Sequence, residues 1–340
     1  MATATDPGTK SVPVQITEDE AAVYDRQIRL WGLEAQQRMR NATIVVYRLK
    51  GIATEAIKNI VLAGIGKLVV VDDENVSEED LGAGFFFRDE DVGKKRVDAA
   101  KPRIESLNPL VKVETLSDSA ALQPENIRAL LQDVDMVCVT DLDRQGLLEI
   151  NAIARELRKP LYAGGTYGLL GYIFCDLLTH DYIAPDRGNP KDSTKNIKST
   201  ITYATLDDAL KHTWRKLSRK QTKELNPAVV FMIFALWEYQ SRHGRDLPDS
   251  SDAEKELGDL GIALLAKAEV NKQALPSIPS DLIETMSTTA AHEISPVCAV
   301  VGGMLAQDIL KALAAREAPI VNFFTFDGST GGEARHLFDT

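Results

Sequence analysis

Cysteine is scarce and scattered in this sequence. The three residues, Cys138, Cys175 and Cys298, form no CxxC pair and have no histidine at metal-ligand spacing. A structural zinc site is therefore not expected, and a reducing compartment is. No unbroken run of about 18 apolar residues is present, so no membrane span is expected. Positive charge is also short. Against 50 Asp and Glu stand 39 Lys and Arg, a formal net charge of -11, which argues against general nucleic-acid binding. Residues 1–15 are rich in Thr, Ala and Pro and lack an apolar centre. They read as a disordered leader and not as a signal peptide. Together these shortages predict a soluble intracellular protein without a bound metal.

Apolar residues make up 44% of the chain, enough for a large core, and they are arranged in alternation. Ile44–Tyr47 and Leu68–Asp72 are short apolar runs of the kind buried on both faces of a sheet. Between them, Glu55–Leu62 carries Ala56, Ile57, Ile60 and Val61 at helical spacing, which makes a βαβ unit. The alternation continues through a helix over 93–107, a strand over 111–116, a helix over 124–131, a strand over 136–139 and a helix over 144–157. Strands around Leu161–Ala163 and Gly171–Leu178 close this part. The pattern predicts an α/β fold: a doubly wound, Rossmann-like, mostly parallel sheet over residues 16–178.

From Thr179 the character changes. Residues 186–199 are polar and read as a loop, and helical patterns follow over 206–217, 229–243 and 253–270. We expect an all-helical insertion over 179–290. The chain then returns to the sheet over 291–340, with an apolar helix from Ser295 to about Ala315 and a final strand at Phe323–Phe326. An N-terminal helix starting at Thr17 is expected to run through Tyr24–Gly32.

Glycine is missing where a nucleotide-binding fold needs it. After the first strand, a glycine-rich turn lets backbone N–H groups approach phosphate. Here the turn reads Tyr47-Arg48-Leu49-Lys50-Gly51-Ile52-Ala53. Against GxGGxG, Arg48 and Lys50 replace glycines, Gly51 remains, and Ala53 replaces the last. Two long cations obstruct the close backbone approach, so the turn reads as a degenerate site, although cations could also bind phosphate in their own way. Asp72 has the spacing of a ribose-binding acid, or is an acidic strand-end residue beside Asp73 and Glu74.

Before this unit lies Tyr24-Asp25-Arg26-Gln27-Ile28-Arg29-Leu30-Trp31-Gly32. Ile28, Leu30 and Trp31 can anchor the segment while an arginine reaches outward. An anchored guanidinium suits phosphate, being planar, permanently charged and fork-shaped. Arginines on a solvated helix are the plainer alternative.

These residues together resemble the adenylation fold of the enzymes that activate ubiquitin-like proteins, and most closely the smaller-subunit (Aos-type) branch of the SUMO-activating enzymes. The likeness rests on Tyr24–Gly32, the Lys50-Gly51 turn and its helix to Gly64, Asp72–Asp80, Val92-Gly93 and Leu107-Asn108-Pro109. Pro296–Gly303 and Asn322–Gly328 extend it near the C-terminus.

The resemblance implies that two related domains pair and only one catalyses. ATP and Mg2+ then belong to the catalytic (Uba-type) partner, which adenylates the C-terminal glycine of SUMO and captures it on its own cysteine. A conjugating enzyme acts downstream. The inactive partner lends an arginine to the ATP phosphates, and by motif position that residue is Arg26, with Arg29 structural. The resemblance also makes Arg48, Lys50 and Ala53 expected losses around Gly51, makes the acidic Ser77–Leu81 stretch a further one, and makes Asp143 a remnant of a metal-binding aspartate. None of the three cysteines has the cationic, exposed setting of a nucleophile.

The insertion corresponds to the first half of the family's catalytic-cysteine region. It contacts the partner or the modifier, or serves as a spacer. A nuclear location, with the cytoplasm second, is implied by the family. Other readings are a regulatory subunit for the NEDD8 modifier, a self-sufficient homodimeric adenylyltransferase, an NAD-dependent oxidoreductase on the same sheet, or a scaffold.

Overall fold

Eight strands form one sheet in the order β10-β9-β6-β5-β4-β1-β2-β3 in a computed structural model that describes residues 13–185, 196–336 and 338. Strands β1 (Thr43–Tyr47), β2 (Lys67–Val71), β3 (Lys112–Leu116), β4 (Met136–Thr140) and β5 (Leu161–Tyr167) are parallel. Antiparallel strands β6 (Leu170–Asp176), β9 (Phe323–Asp327) and β10 (Gly332–His336) extend the β5 edge. The α/β class and the largely parallel, helix-covered sheet are as expected.

Side chains that alternate along each central strand divide between two cores. Ile44, Val46, Leu68 and Val70 face a layer built from the helices Gly51–Leu62, Arg96–Leu107 and Ser295–Ala314. Val45, Tyr47, Val69 and Val71 face the opposite layer. There the helices Arg144–Glu156 and Pro227–Arg242 pack, with Trp237 and Phe231 among the largest buried side chains. Helices from the 206–290 stretch thus complete the second face of the sheet.

Three local expectations are corrected. The stretch 179–290 is not all-helical: it opens with an antiparallel hairpin, β7 (Thr179–Pro185) and β8 (Asn196–Thr202). Its exposed, ion-paired surface, with Lys198 on Asp181 at 2.6 Å, gave it the composition of a loop. Residues 186–195 of the expected loop lie outside the described residues. The helix expected over 206–217 covers only Leu206–Ala209.

The N-terminal helix is three short ones: α1 (Glu18–Val23), α2 (Asp25–Trp31) and α3 (Leu33–Arg40). Tyr24 turns inward between the first two, and Gly32, at φ +91°, separates the last two. Residues 1–12 of the expected leader lie outside the described residues. Val14 and Ile16 are tied by their N–H groups to Asn41 and Gln37 at 2.7 and 2.9 Å. Among the described residues only the Ser295–Ala314 helix is long and apolar enough, by length and composition, to cross a bilayer, and 61% of its 18-residue apolar window is buried, as in a core helix.

Candidate functional site

The turn after β1 meets the N-terminus of the Gly51–Leu62 helix, where a nucleotide-binding fold would cradle phosphate. That position holds a side chain of the chain itself. The Gly51 N–H donates to both carboxylate oxygens of Glu293, at 3.0 and 3.2 Å. A Cβ on Gly51 would stand 2.9 Å from both Ala83 Cβ and Cys298 Sγ, so nothing larger than glycine fits beneath this contact. Burial pushes the Glu293 carboxyl up to about 7, against the pull of Lys50.

The two cations that replace glycines are also engaged. Arg48 sits at φ +68° and puts its guanidinium 2.5 Å from Asp73. Lys50 Nζ lies 3.3 Å from Asp141 at the end of β4. Burial opposes the Lys50 charge, but Asp141 and Glu293 more than offset it and hold its pKa raised. Ala53 is fully buried in the first core layer.

Asp72 is fully buried, and burial raises its pKa. One oxygen accepts the Leu49 N–H at 2.7 Å and the other the Glu74 N–H at 2.8 Å. Arg96 links Asp72 to Asp80 and Glu74, at 3.7, 2.9 and 2.6 Å. The aspartate spaced for a ribose instead braces the turn. Asp143 caps the Arg144–Glu156 helix through the Gly146 N–H at 2.8 Å and pairs with Arg245 at 2.6 Å. Among the described residues no group of three His, Cys, Asp or Glu is arranged to hold a metal ion. Phosphates bound at this position would have to displace Glu293, and a ribose would compete with the Leu49 and Glu74 N–H groups for Asp72.

The N-terminal motif is arranged in the opposite way. Tyr24 is 2% exposed, and its hydroxyl accepts the Asn108 side-chain N–H at 2.8 Å. Asn108 donates also to the Val61 carbonyl at 2.9 Å. Gly64, at φ +81°, leaves the room that the Tyr24 ring fills; a Cβ there would overlap the ring. Tyr24, Gly64 and Asn108, separate features of the resemblance, are thus one contact.

Two residues beyond Tyr24, Arg26 is exposed and makes no ion pair or hydrogen bond among the described residues. Arg29, one turn on, is held by Asp25 at 2.9 Å. The apolar anchor is as expected only in part: Trp31 packs against the first core layer and Ile28 is half-buried, but Leu30 is 79% exposed, and the fully buried residue of the segment is Tyr24.

All three cysteines are buried, and burial pushes the thiols of Cys138 and Cys298 up to about 12. Sequence reasoning missed Glu293, Asp141 and Arg96. Glu293 lies 242 positions from Gly51, and nothing local to either residue couples them.

The ThiF family pattern matches residues 24–337. SUMO-activating enzyme subunit 1 of Homo sapiens is 34% identical over 337 residues, covering 93% of this chain and 94% of that protein. The Danio rerio protein of the same name is 34% identical over 345 residues, covering 96% and 97%. Among solved structures, the crystal structure of SeMet PaaA superposes with a TM-score of 0.59 at 15% identity, covering 99% of this chain and 78% of that one, a likeness of fold. The chain therefore belongs to the ThiF family, and within it to the branch that resembles SUMO-activating enzyme subunit 1 over nearly its whole length.

Proposed function

We propose that this chain is the non-catalytic but required subunit of a heterodimeric SUMO-activating enzyme. The catalytic partner binds ATP and Mg2+, adenylates the C-terminal glycine of SUMO, and then takes it as a thioester on its own cysteine. This chain contributes half of a large interface and donates Arg26 in trans to the ATP phosphates. Residues 16–178 and 291–340 are its adenylation domain, and 179–290 is the insertion, in a protein working in the nucleus and secondarily in the cytoplasm.

One contrast carries the reading. The chain's own phosphate position holds the Glu293 carboxyl group, while Arg26 stands exposed beside the buried Tyr24 with no ion pair or hydrogen bond among the described residues. The names of the relatives support SUMO as the modifier and a second subunit as the partner. The chemistry suits the role. A guanidinium supplied from outside the active domain can bind two phosphate oxygens at once and stabilise the charge that develops as pyrophosphate leaves.

ATP–pyrophosphate exchange with SUMO tests it. The chain alone is silent, the chain with a SUMO-type catalytic subunit exchanges, and the pair carrying Arg26→Ala loses most of that activity. Exchange by this chain alone would make it an adenylyltransferase in its own right and sink the proposal.

A further inference from the structure

On the sheet face away from Gly51, the helix Pro227–Arg242 borders a second concavity. Phe231, Phe234 and Trp237 follow at three-residue steps on that helix, and Glu238 lies one turn beyond Phe234, so the four crowd one face. Leu264, Lys267 and Ala268 repeat the spacing at the end of the helix Glu254–Lys267. Trp214 and Phe338 complete the wall, and Arg144 joins it from the start of the helix Arg144–Glu156. Phe338 is fixed in place by the Asn322 side chain, which donates to its carbonyl and accepts its N–H, both at 2.9 Å. The cavity measures about 160 Å³. About 150 Å³ is enough for a benzene ring.

Aromatic walls around a space of this size suit a flat apolar group, and the polar atoms narrow the choice. Arg144 gives its Nη1 to Glu238 at 2.9 Å, while its Nε is buried with no hydrogen-bond partner among the described residues. A buried donor left unmet is costly and uncommon. Trp214, 2% exposed, makes no side-chain hydrogen bond among the described residues either. Lys267 has no ion pair among them, and the other lining lysine, Lys211, is paired with Asp207 at 2.5 Å. Glu238, the one acid in the wall, is neutralised by Arg144 and lies 4.0 Å from Arg242. Three Lys and Arg side chains thus stand against one carboxylate, in a chain whose net charge is -11.

The geometry points to a binding site for a small aromatic carboxylic acid, its ring among the tryptophan and phenylalanine side chains and its carboxylate on the Nε edge of Arg144, with Lys267 nearby. The side-on edge of a guanidinium takes a carboxylate through two parallel N–H bonds. A neutral ring would leave the Arg144 Nε unmet, and a cationic one would meet like charges. No residue of this wall belongs to the Gly51 turn or to the Tyr24–Gly32 segment, so the site stands independently of the subunit reading.

Two of the three tryptophans line the cavity, so intrinsic fluorescence reads its occupancy. Benzoate titrated into the full chain should quench it saturably, with a Kd below about 1 mM, and should raise the Tm. Toluene should bind at least about fivefold more weakly, and benzylamine not detectably. Arg144→Gln should weaken benzoate about tenfold and Lys267→Glu at least about threefold, with toluene unchanged in both. Lys255→Glu, an exposed charge reversal at the other end of the same helix as Lys267, is the control and should change nothing. Ala268→Trp, which fills the cavity, should abolish binding of both probes; where that variant fails to fold, the two charge variants still decide.

Benzoate that produces no saturable quenching overturns the site. Equal binding of benzoate and toluene, or benzoate binding unmoved by both Arg144→Gln and Lys267→Glu, overturns the acid as its ligand. A folded Ala268→Trp chain that still binds benzoate overturns the cavity as the place where it binds.

Discussion

Arg48 and Arg26 are the same side chain in two settings. Arg48 is bent into a turn at φ +68° and held by Asp73, in a position where Lys50 and the Gly51 N–H also have acidic partners in Asp141 and Glu293. Arg48, Lys50 and the Gly51 N–H each already have an acidic partner within the chain. Arg26 stands on a short helix pinned from below by Tyr24 and has no acidic partner among the described residues. A phosphate arriving from outside has to break existing pairs at the first site and none at the second. What separates the two positions is the pairing of their cations, not their number.

The largest expected effect breaks the comparison directly. In the pair, Arg26→Ala should lower the exchange rate by about a thousandfold or more, the scale of arginines supplied in trans to transferring phosphates. Arg48→Ala should change it little. Equal losses for the two variants would mean that the turn takes part in catalysis after all.

Next comes the seat beneath Arg26. Gly64→Ala forces a side chain into a left-handed backbone position and into the Tyr24 ring. It should cost roughly 3 kcal/mol of stability, measured by urea denaturation. It should also lower exchange in the pair, because the helix bearing Arg26 starts at that tyrosine. Unchanged stability would mean that Tyr24 is not the anchor.

The closed position should have its own pH signature. The folded chain holds the Glu293 proton up to about 7, against an ordinary value of 4.5, so it binds that proton more tightly than the unfolded chain. Its stabilising contribution is full below about 4.5 and is lost as pH rises through about 7. Glu293→Gln should flatten that part of the stability–pH curve, read from denaturation midpoints between those values. An unchanged slope would mean that another group carries it.

Much of this was legible in the sequence, for local reasons. Val69 and Val71 alternate with Leu68 and Val70, so one apolar run fed both cores and marked a buried parallel strand. The Arg48–Lys50 turn showed its lost glycines because a phosphate loop is a contiguous motif. Glu293 was hidden because its contact is long-range: an acid just before a proline-started helix reads as a helix-end residue. The β7–β8 hairpin was missed because an exposed ribbon needs no apolar alternation. Leu30 was wrongly counted in the anchor, and Tyr24 overlooked, for a related reason. Leu30 is apolar and Tyr24 is half polar, yet the buried partner Asn108 decides which one turns inward.

The smallest expected effect is the sharpest control. Arg29 lies three residues after Arg26 and pairs with Asp25 across one turn of α2, both side chains largely exposed to solvent. Exposed pairs of this kind contribute well under about 1 kcal/mol, and salt screens them further. Arg29→Ala should therefore leave the melting temperature within a degree or two and the exchange rate of the pair within a few fold. Position and charge differ little between the two arginines; what differs is that Arg29 already has its carboxylate. If Arg29→Ala abolished exchange as Arg26→Ala should, the effect would belong to the positive charge of the segment as a whole. If Asp25→Asn, which frees Arg29 from its partner, partly restored the activity of the Arg26→Ala pair, the absence of a local anion would be shown to be what makes an arginine available to another chain's phosphates.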